Sequence, residues 1–306
     1  MPVCFDIGGT NIRSGWPDQD GIVQIAGKRP TPGDSLDGFL TAMVEMMQEA
    51  PAAQRDYVAI SIAGFADPKT GALTIANIPC LKGENLSGLL EARVGVPVIV
   101  ANDADCLALA EAYAGAAKGA QNVFAIVLGT GVGGGMVING DIVTGFGGIS
   151  GEWGHGPVVD PTAGGMVEHM GYFQCGCGQK GCLDTVGGAR GMENVHKALH
   201  QVELGAEDIL NAWRNGNDAA TRTIEVCSEM VARVLSTFVN TLGPESVPVG
   251  GGLAHANDLI AEIDRRVRTM VLNTYEQPLV VPAHHVKNAG LVGAAYLRPN
   301  QMRGVA

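Results

Sequence analysis

Three cysteines lie within eight residues of one another, at Cys175, Cys177 and Cys182, with glycines between them. Glycine lets the backbone fold tightly, so the three sulfurs could surround one ion. Three thiolates with one imidazole suit Zn²⁺ in a closed tetrahedral site, which is structural rather than catalytic. The fourth ligand could be His155 or His169. Buried free thiols are the alternative, and a redox disulfide is disfavoured because no Cys-x-x-Cys spacing occurs.

Two pairs of polar residues could also take part in chemistry. Glu152 and His155 are three residues apart, so both side chains can face one site from a turn or a helix start. A surface glutamate with a core histidine is the alternative, although a zinc ion at His155 would hold Glu152 in place. Asn102 and Asp103 stand between an apolar strand and a helix. Asp103 is predicted either to cap that helix or to act as a general base beside a phosphoryl donor.

Glycine-rich segments follow three predicted strands. The first is Gly-Gly-Thr-Asn at 8–11, the second begins Gly-Thr-Gly at residue 129, and the third is the glycine triplet 250–252. Glycine after a strand lets backbone N–H groups approach an anion, and threonine adds a hydroxyl donor. Each segment alone could be a tight turn, but together they indicate phosphate binding. None matches a P-loop or opens a Rossmann unit, so a dehydrogenase is disfavoured.

The composition limits the class of protein. A length of 306 residues corresponds to about two domains. The net charge of −11 disfavours binding to a nucleic-acid backbone. We see neither a transmembrane segment nor a secretion signal. Seven cysteines, an odd number, therefore indicate a reducing compartment, and we expect a cytoplasmic protein.

The apolar patterns predict an alternation of strands and helices. Predicted strands cover 2–7, 22–27, 57–62, 96–100, 122–128, 136–138 and 246–249, and predicted helices cover 36–49, 104–113, 224–242 and 289–297. Asn139-Gly140 is a hairpin turn signal. A strand followed by a Gly-Thr turn occurs at 2–11 and again at 122–135, as expected for two α/β domains that face each other with one phosphate loop each.

Taken together, these motifs resemble the ROK family of sugar kinases and sugar-responsive repressors. The resemblance covers residues 3–297. In order, it is carried by Asp6-Ile-Gly-Gly-Thr-Asn11, Asn102-Asp103-Ala104, Gly129-Thr-Gly-Val-Gly-Gly-Gly135, Glu152-x-Gly-His155, Cys175-x-Cys177-Gly-x-x-Gly-Cys182 and Gly250-Gly-Gly252. The pair formed by the Glu-x-Gly-His and cysteine motifs is highly specific for this family.

The resemblance implies an α/β protein with a two-domain actin-like, hexokinase-like ATPase fold of the ribonuclease H-like type. Sugar and ATP would occupy the cleft between the domains. The smaller domain would comprise 1–118 plus 289–306, and the larger one 119–288. Family members are often dimers, so a homodimer is expected.

The resemblance also implies roles for the matched residues. Asp103 would take the proton from the sugar 6-hydroxyl, and Asp6 would help to hold Mg²⁺. The phosphate-loop residues would be Gly8, Gly9, Thr10, Asn11, Gly129, Thr130 and Gly131, and the residues beside adenosine would be Gly250, Gly251 and Gly252. The sugar-binding residues would be Gly64, Asn77, Asn102, Asp103, Glu152, His155 and Asp184. The ligands of a structural Zn²⁺ would be His155, Cys175, Cys177 and Cys182.

Two features concern the identity of the sugar. The family usually has glutamate where this chain has Asp184, so the pocket there should differ. The spacer of 19 residues between His155 and Cys175 is long, as in the N-acetylglucosamine kinases of the family. We therefore expect N-acetyl-D-glucosamine as the substrate, with glucose, N-acetylmannosamine, fructose or allose as alternatives. A non-catalytic sugar sensor is a remote alternative. A repressor is disfavoured because no room precedes the first strand for a helix-turn-helix domain. No nucleic-acid or membrane partner is expected.

Overall fold

The computed structural model describes residues 1–299, which form two compact units. The first unit contains 1–119, 135–150 and 287–299, and the second contains 120–134 and 151–286. The predicted domain limits, 1–118 with 289–306 and 119–288, stay a prediction. They differ from the two units mainly at 135–150, and residues 300–306 lie outside the described part of the chain.

The first sheet holds the phosphate loop predicted at 8–11. Its strands are β1 (Pro2–Ile7), β2 (Asn11–Pro17), β3 (Val23–Pro30), β4 (Tyr57–Ile62) and β7 (Val98–Asn102), in the spatial order β3-β2-β1-β4-β7. The strands β1, β4 and β7 are parallel, whereas β2 and β3 are antiparallel to their neighbours. Parallel strands with both faces covered have continuous apolar sequences, and β4 accordingly is buried from Val58 to Ile62.

The helices of the first unit are amphipathic or rich in small residues. They are α1 (Leu36–Gln48), α2 (Leu86–Val94), α3 (Asp103–Ala114) and α8 (Ala289–Ala294). Ser35 caps α1 by accepting a hydrogen bond from the Gly38 N–H. Met43, Met46 and Met47 of α1 are buried in the hydrophobic core. A small antiparallel sheet of β5 (Gly64–Ala66) and β6 (Leu73–Ile75) follows β4.

The second sheet repeats the strand order of the first. Its strands are β8 (Val123–Leu128), β9 (Val132–Ile138), β10 (Asp141–Ile142), β11 (Val247–Gly250) and β12 (Val280–Pro282), in the spatial order β10-β9-β8-β11-β12. Both Asn139 and Gly140 have positive φ in the β9–β10 hairpin, as a type I′ turn requires. The remaining helices are α4 (Ala189–His200), α5 (Ala206–Arg214), α6 (Asp218–Leu242) and α7 (Asn257–Met270).

Several predicted boundaries differ from the structure. The strand predicted over 22–27 extends to residue 30, the strand predicted over 96–100 covers 98–102, and the last helix ends at residue 294 instead of 297. The strand β2 was not predicted. The helix α6 begins six residues before the predicted start because Asn217 caps it by accepting from the Ala220 N–H. Among the described residues, no helix is both long and apolar enough to span a membrane.

Candidate active site

The loop at 8–11 is a tight connection between β1 and β2. The Gly8 N–H donates to the Asn11 carbonyl oxygen at 3.0 Å, and the Thr31 hydroxyl donates to the Gly8 carbonyl oxygen at 2.7 Å. A Cβ at Gly9 would lie 3.0 Å from the Asn77 carbonyl oxygen, so glycine allows the close approach. The structure thus brings the predicted phosphate-loop residues and Asn77 together. A fixed loop of glycine and threonine can present N–H groups to an anion.

Asp6 lies beside this loop near the end of β1. Its side chain is 25% exposed, and an Arg13 guanidinium nitrogen lies 3.8 Å from its Oδ2. Burial raises the pKa of Asp6, and the positive charge of Arg13 opposes that increase. A Cβ at Gly290 would overlap the Asp6 Oδ1 atom, so this glycine lets α8 approach the carboxylate. A confined carboxylate of this kind could help to hold Mg²⁺.

Asn102 and Asp103 form the junction between β7 and α3. Asn102, rather than Asp103, is the N-cap residue: its Oδ1 accepts from the Ala104 N–H at 2.8 Å. The alternative in which Asp103 caps the helix is therefore wrong, although its Oδ1 also accepts from the Ala104 N–H at 2.9 Å. The Asn102 Nδ2 donates to the Gly64 carbonyl oxygen at 3.0 Å. The structure thus groups three predicted substrate-site residues, with the Asp103 carboxylate exposed at the start of a helix.

The predicted metal ligands converge in the second unit. The candidate ligand atoms of His155, Cys175, Cys177 and Cys182 all lie within 4.8 Å of one another. Zn–S bonds of about 2.3 Å would place two ligand sulfurs roughly 3.8 Å apart, and the sulfurs of Cys177 and Cys182 are separated by 3.6 Å. His169 is not in this group, and its Nδ1 accepts from the Gly171 N–H. The donor set therefore fits Zn²⁺ with His155 as the fourth ligand.

Contacts among neighbouring side chains and backbone groups suit this cluster to a metal ion. The His155 Nδ1 lies 3.6 Å from the Cys175 sulfur, and its Nε2 lies 3.7 Å from a Glu152 carboxylate oxygen. Metal-ligating histidines are commonly oriented by a carboxylate on the second ring nitrogen. A hydrogen bond from the Gln179 backbone lowers the pKa of Cys177 to about 7, whereas burial raises the pKa of Cys175 to about 11. Cys177 thus readily reaches the thiolate form that binds metal.

Asp184 connects the cysteine turn to the second glycine loop. Its Oδ1 accepts from the Val132 N–H at 2.8 Å, and its Oδ2 lies 3.8 Å from the Cys175 sulfur. A Cβ at Gly131 would overlap the Asp184 Oδ1 atom, so the loop and the carboxylate are in close contact. The sequence placed Asp184 among the sugar-binding residues, and that role stays a prediction. Its hydrogen bond to Val132 was not anticipated.

The second and third glycine segments lie against each other. In the 129–131 loop, the Gly129 N–H donates to the Gly131 carbonyl oxygen at 3.0 Å. Gly251 has a φ of +86°, and a Cβ there would lie 2.6 Å from the Leu128 carbonyl oxygen. The predicted phosphate and adenosine residues of this unit are therefore neighbours. Sequence reasoning missed Gly188, where a Cβ would lie 2.7 Å from the Gly131 carbonyl oxygen; the signal was a further glycine pair before a helix.

The long spacer between His155 and Cys175 is attached at both its ends and near its middle. Near its ends, the Val159 N–H donates to the Gly181 carbonyl oxygen at 3.0 Å, and the Gly181 N–H donates to Phe173 at 3.4 Å. An Arg233 nitrogen also lies 3.6 Å from an oxygen of Asp160, the residue after Val159, and near the middle of the spacer Arg222 donates to the Met166 carbonyl oxygen. Sequence reasoning missed these arginines of α6 because only the fold brings them to the spacer.

Comparison with known proteins places these observations in context. The model of the ROK family matches residues 2–301. A protein named N-acetyl-D-glucosamine kinase from Photobacterium profundum is 33% identical over 296 residues, which cover 96% of this chain and 97% of that protein. The crystal structure of a ROK hexokinase from Thermus thermophilus matches with a TM-score of 0.83 and 28% identity over 96% of each chain.

A second solved structure is a ROK family glucokinase from Streptomyces griseus in complex with glucose and AMPPNP. It matches with a TM-score of 0.70 and 28% identity, over 98% of this chain and 99% of that chain. These similarities confirm the predicted α/β fold class, the two-domain actin-like ATPase fold.

Proposed function

We propose that this chain, which belongs to the ROK family, is a kinase that transfers the γ-phosphoryl group of ATP to the 6-hydroxyl of a sugar. The preferred substrate is N-acetyl-D-glucosamine. The observation that carries the proposal is the similarity over 96% of the chain to a protein with that activity in its name. The residues that such a reaction needs are present, and they are grouped within each unit.

The first unit supplies the acid–base chemistry. The carboxylate of Asp103 accepts the proton of the sugar 6-hydroxyl as that oxygen attacks the γ-phosphorus. The bond from this phosphorus to the β–γ bridging oxygen breaks, and ADP leaves with the electron pair. Asn102 hydrogen-bonds a sugar hydroxyl and thereby orients the acceptor. Asp6 would hold Mg²⁺, which neutralises charge on the phosphate oxygens when it is bound.

The glycine loops stabilise the charge that develops on the phosphates. The Gly8 and Gly129 N–H groups donate within their own loops and fix the backbone there, so the remaining N–H groups of 8–11 and 129–131 need little reorganisation to bind phosphate. Gly250 to Gly252 border adenosine. Glu152, His155 and Asp184 hydrogen-bond the sugar, and Zn²⁺ would fix the turn that carries them through His155 and the three cysteines.

Two observations favour N-acetyl-D-glucosamine over glucose. The relative that is 33% identical bears that name, and the spacer of 19 residues is typical of those enzymes. Glucose is the second candidate, because the two solved structures at 28% identity are a hexokinase and a glucokinase. N-acetylmannosamine, fructose and allose stay alternatives. The sensor alternative requires loss of the base or of the loop residues, and Asp103 and both loops are present.

The test is ADP release with Mg-ATP against N-acetylglucosamine, N-acetylmannosamine, glucose, mannose, fructose and allose. We expect the highest kcat/KM with N-acetylglucosamine and a product that carries phosphate on the 6-oxygen. A preference for glucose would mean that the length of the spacer does not predict which sugar the enzyme phosphorylates. ADP release with none of these sugars, combined with measurable sugar binding, would contradict the kinase proposal and support a sensor.

We also infer a homodimer in the cytoplasm. The dimer is proposed from the family, and the seven cysteines, all free in the structure, suit a reducing compartment. Sedimentation analysis at micromolar concentration should give a mass twice that of the chain, and a single monomeric species would contradict the dimer. Fractionation of the source cells should recover the activity with cytoplasmic markers.

A further inference from the structure

A large cavity lies within the first unit along the open edge of the first sheet. Its volume is about 900 Å³, which is within the range of small-molecule binding sites. Strand β7 forms one wall from Val98 to Asn102, and the other walls are formed by α2, by the turn after β5 and by residues 144–148. Of the residues given roles above, Asn102 is among those that line it.

The cavity reaches the position of the proposed chemistry. Asn102 lines it and directly precedes Asp103 in the chain. One Asn102 amide hydrogen is donated to Gly64, and its oxygen accepts one bond from Ala104. A side-chain amide has two hydrogens and two lone pairs, so Asn102 can bind a ligand as well. A sugar placed with its 6-hydroxyl at Asp103 would therefore have free space beside it.

Two aromatic side chains give the cavity an apolar face. Phe65 lines it from β5, and Phe146 lines it while 93% exposed to solvent. Phe146 stands in a turn in which Gly145, Gly147 and Gly148 all have positive φ. A Cβ at Gly148 would overlap the Ala66 carbonyl oxygen, so this loop approaches β5 closely only because it contains glycine. A loop of this construction presents an aromatic ring at the cavity instead of burying it in the core.

The charges of the cavity exclude one class of ligand. Three carboxylates line it, those of Asp67, Glu91 and Asp105, whereas Lys69 is the cation among its lining residues. A ligand that carries a phosphate would be repelled by this balance. A neutral ligand with hydrogen-bonding groups at one end and an apolar chain at the other matches the lining.

We propose that this cavity is the subsite for the acylamino substituent of the acceptor sugar, and that it admits acyl chains longer than acetyl. The proposal rests on the function proposed above and extends its substrate class to N-acylhexosamines. The sugar ring lies toward Asn102, and the acyl chain extends along β7 between Phe65 and Phe146. Phe146 is thus a residue that determines specificity for the acyl group over a 2-hydroxyl.

The test uses sugars with acyl groups of increasing length, and it compares the wild type with one variant at the cavity and one matched control variant. The kcat/KM is measured for glucose and for N-acetyl-, N-propanoyl- and N-butanoylglucosamine. We expect the wild type to turn over N-butanoylglucosamine within about tenfold of N-acetylglucosamine. Phe146→Ala should lower kcat/KM about tenfold, equivalent to about 1.4 kcal/mol, for the acylated sugars, and it should leave glucose unchanged because glucose has no acyl chain to contact the ring. Leu272→Ala, at a residue that is also 93% exposed but outside the cavity, should change none of them.

A second variant fills the cavity, and calorimetry separates the two proposals. Ser87→Phe, on the α2 wall, should abolish turnover of N-butanoylglucosamine before that of N-acetylglucosamine. The subsite proposal would be overturned if the wild type lost all turnover when the acyl chain of the sugar was made longer than acetyl. It would also be overturned if Phe146→Ala lowered kcat/KM for glucose as much as for the acylated sugars. If no sugar is phosphorylated but N-butanoylglucosamine binds the wild type more tightly than Phe146→Ala, the kinase proposal fails and the subsite stands. If no sugar binds, both fail.

Discussion

Asp103 owes its position to the residue before it. Because Asn102 takes the capping position of α3, the Asp103 carboxylate lies at the first helical residue and is exposed. A negative charge is favoured near a helix N-terminus, which suits a base that must be ionised before it accepts a proton. Asn102 also donates to Gly64, so the same residue positions the proposed base and lines the cavity of the first unit.

Replacing Asp103 with asparagine tests its assignment as the base. The amide keeps the size of the side chain and can still accept from the Ala104 N–H, but it cannot take the hydroxyl proton. We expect kcat to fall by about 10²–10⁴-fold, the usual contribution of a general base, with sugar affinity by calorimetry little changed. Asp20→Asn, at an exposed carboxylate near β3, is the control and should leave kcat unchanged. Equal turnover in Asp103→Asn and wild type would remove Asp103 from this role.

In the second unit, the predicted sugar-binding residues Glu152, His155 and Asp184 flank the long spacer and the cysteine turn. The turn between Cys175 and Cys182 is short and rich in glycine, so it has little apolar surface with which to hold itself. Hydrogen bonds to Gly181 and the arginines of α6 attach the spacer, and we expect an ion to hold the side chains of the cluster together.

Removing zinc should therefore lower the stability and the sugar affinity together. Dialysis against a strong chelator should release about one Zn²⁺ per chain, lower the melting temperature and weaken sugar binding. Cys177→Ser should reproduce these effects, whereas Cys80→Ser, at a free cysteine outside the cluster, should retain the metal. Metal analysis, calorimetry and thermal unfolding measure the three quantities. Unchanged sugar affinity in zinc-free protein that stays folded would show that the ion does not position the sugar ligands.

Arg233→Ala tests whether the spacer depends on its attachment to α6. Arg233 connects Asp160 of the spacer to Glu229 of its own helix, and both pairs are partly exposed. We expect faster hydrogen exchange at 160–167 and a several-fold higher KM for the sugar, with kcat nearly unchanged because Asp103 lies in the other unit. Arg265→Ala, whose partner Glu262 is on the same helix, is the control. Unchanged exchange at 160–167 would show that the loop is held by its other contacts alone.

The local patterns account for what the sequence predicted correctly. The strand Tyr57–Ile62 and the helix α1, predicted over 36–49, follow from apolar runs and periodicity, which depend only on neighbours in the chain. The strand β2 was missed because Gly15 and Pro17 weaken its pattern, and its pairing partners β1 and β3 supply most of its stability. The bonds of Asp184 to Val132 and of Arg222 to Met166 join residues 52 and 56 positions apart, which no local pattern reveals.

At the scale of the whole chain, two sheets that share the same strand order are built from different parts of the sequence. The first unit is discontinuous: it needs 135–150 and 287–299 in addition to its first 119 residues. The helix α8 closes it by packing against α3, β1 and β4. Gly290 lets α8 approach Asp6, so the end of the chain supports a carboxylate near its beginning.

The close contact between α8 and α3 yields the last prediction, the effect of Gly293→Ala. An added Cβ would overlap the Cys106 carbonyl oxygen, and the three nearest atoms are all backbone atoms of Cys106 in α3, which cannot move aside as a flexible side chain could. Such overpacking typically costs about 1–3 kcal/mol, so the free energy of unfolding measured in urea should fall by that amount. Because α8 also lies against Asp6, kcat should fall even in the folded fraction. Gly33→Ala, where the nearest atom to the new Cβ is 4.0 Å away, should change neither quantity. Wild-type stability in Gly293→Ala would mean that α8 can move away from α3 at no cost, and that this helix does not fix the position of Asp6.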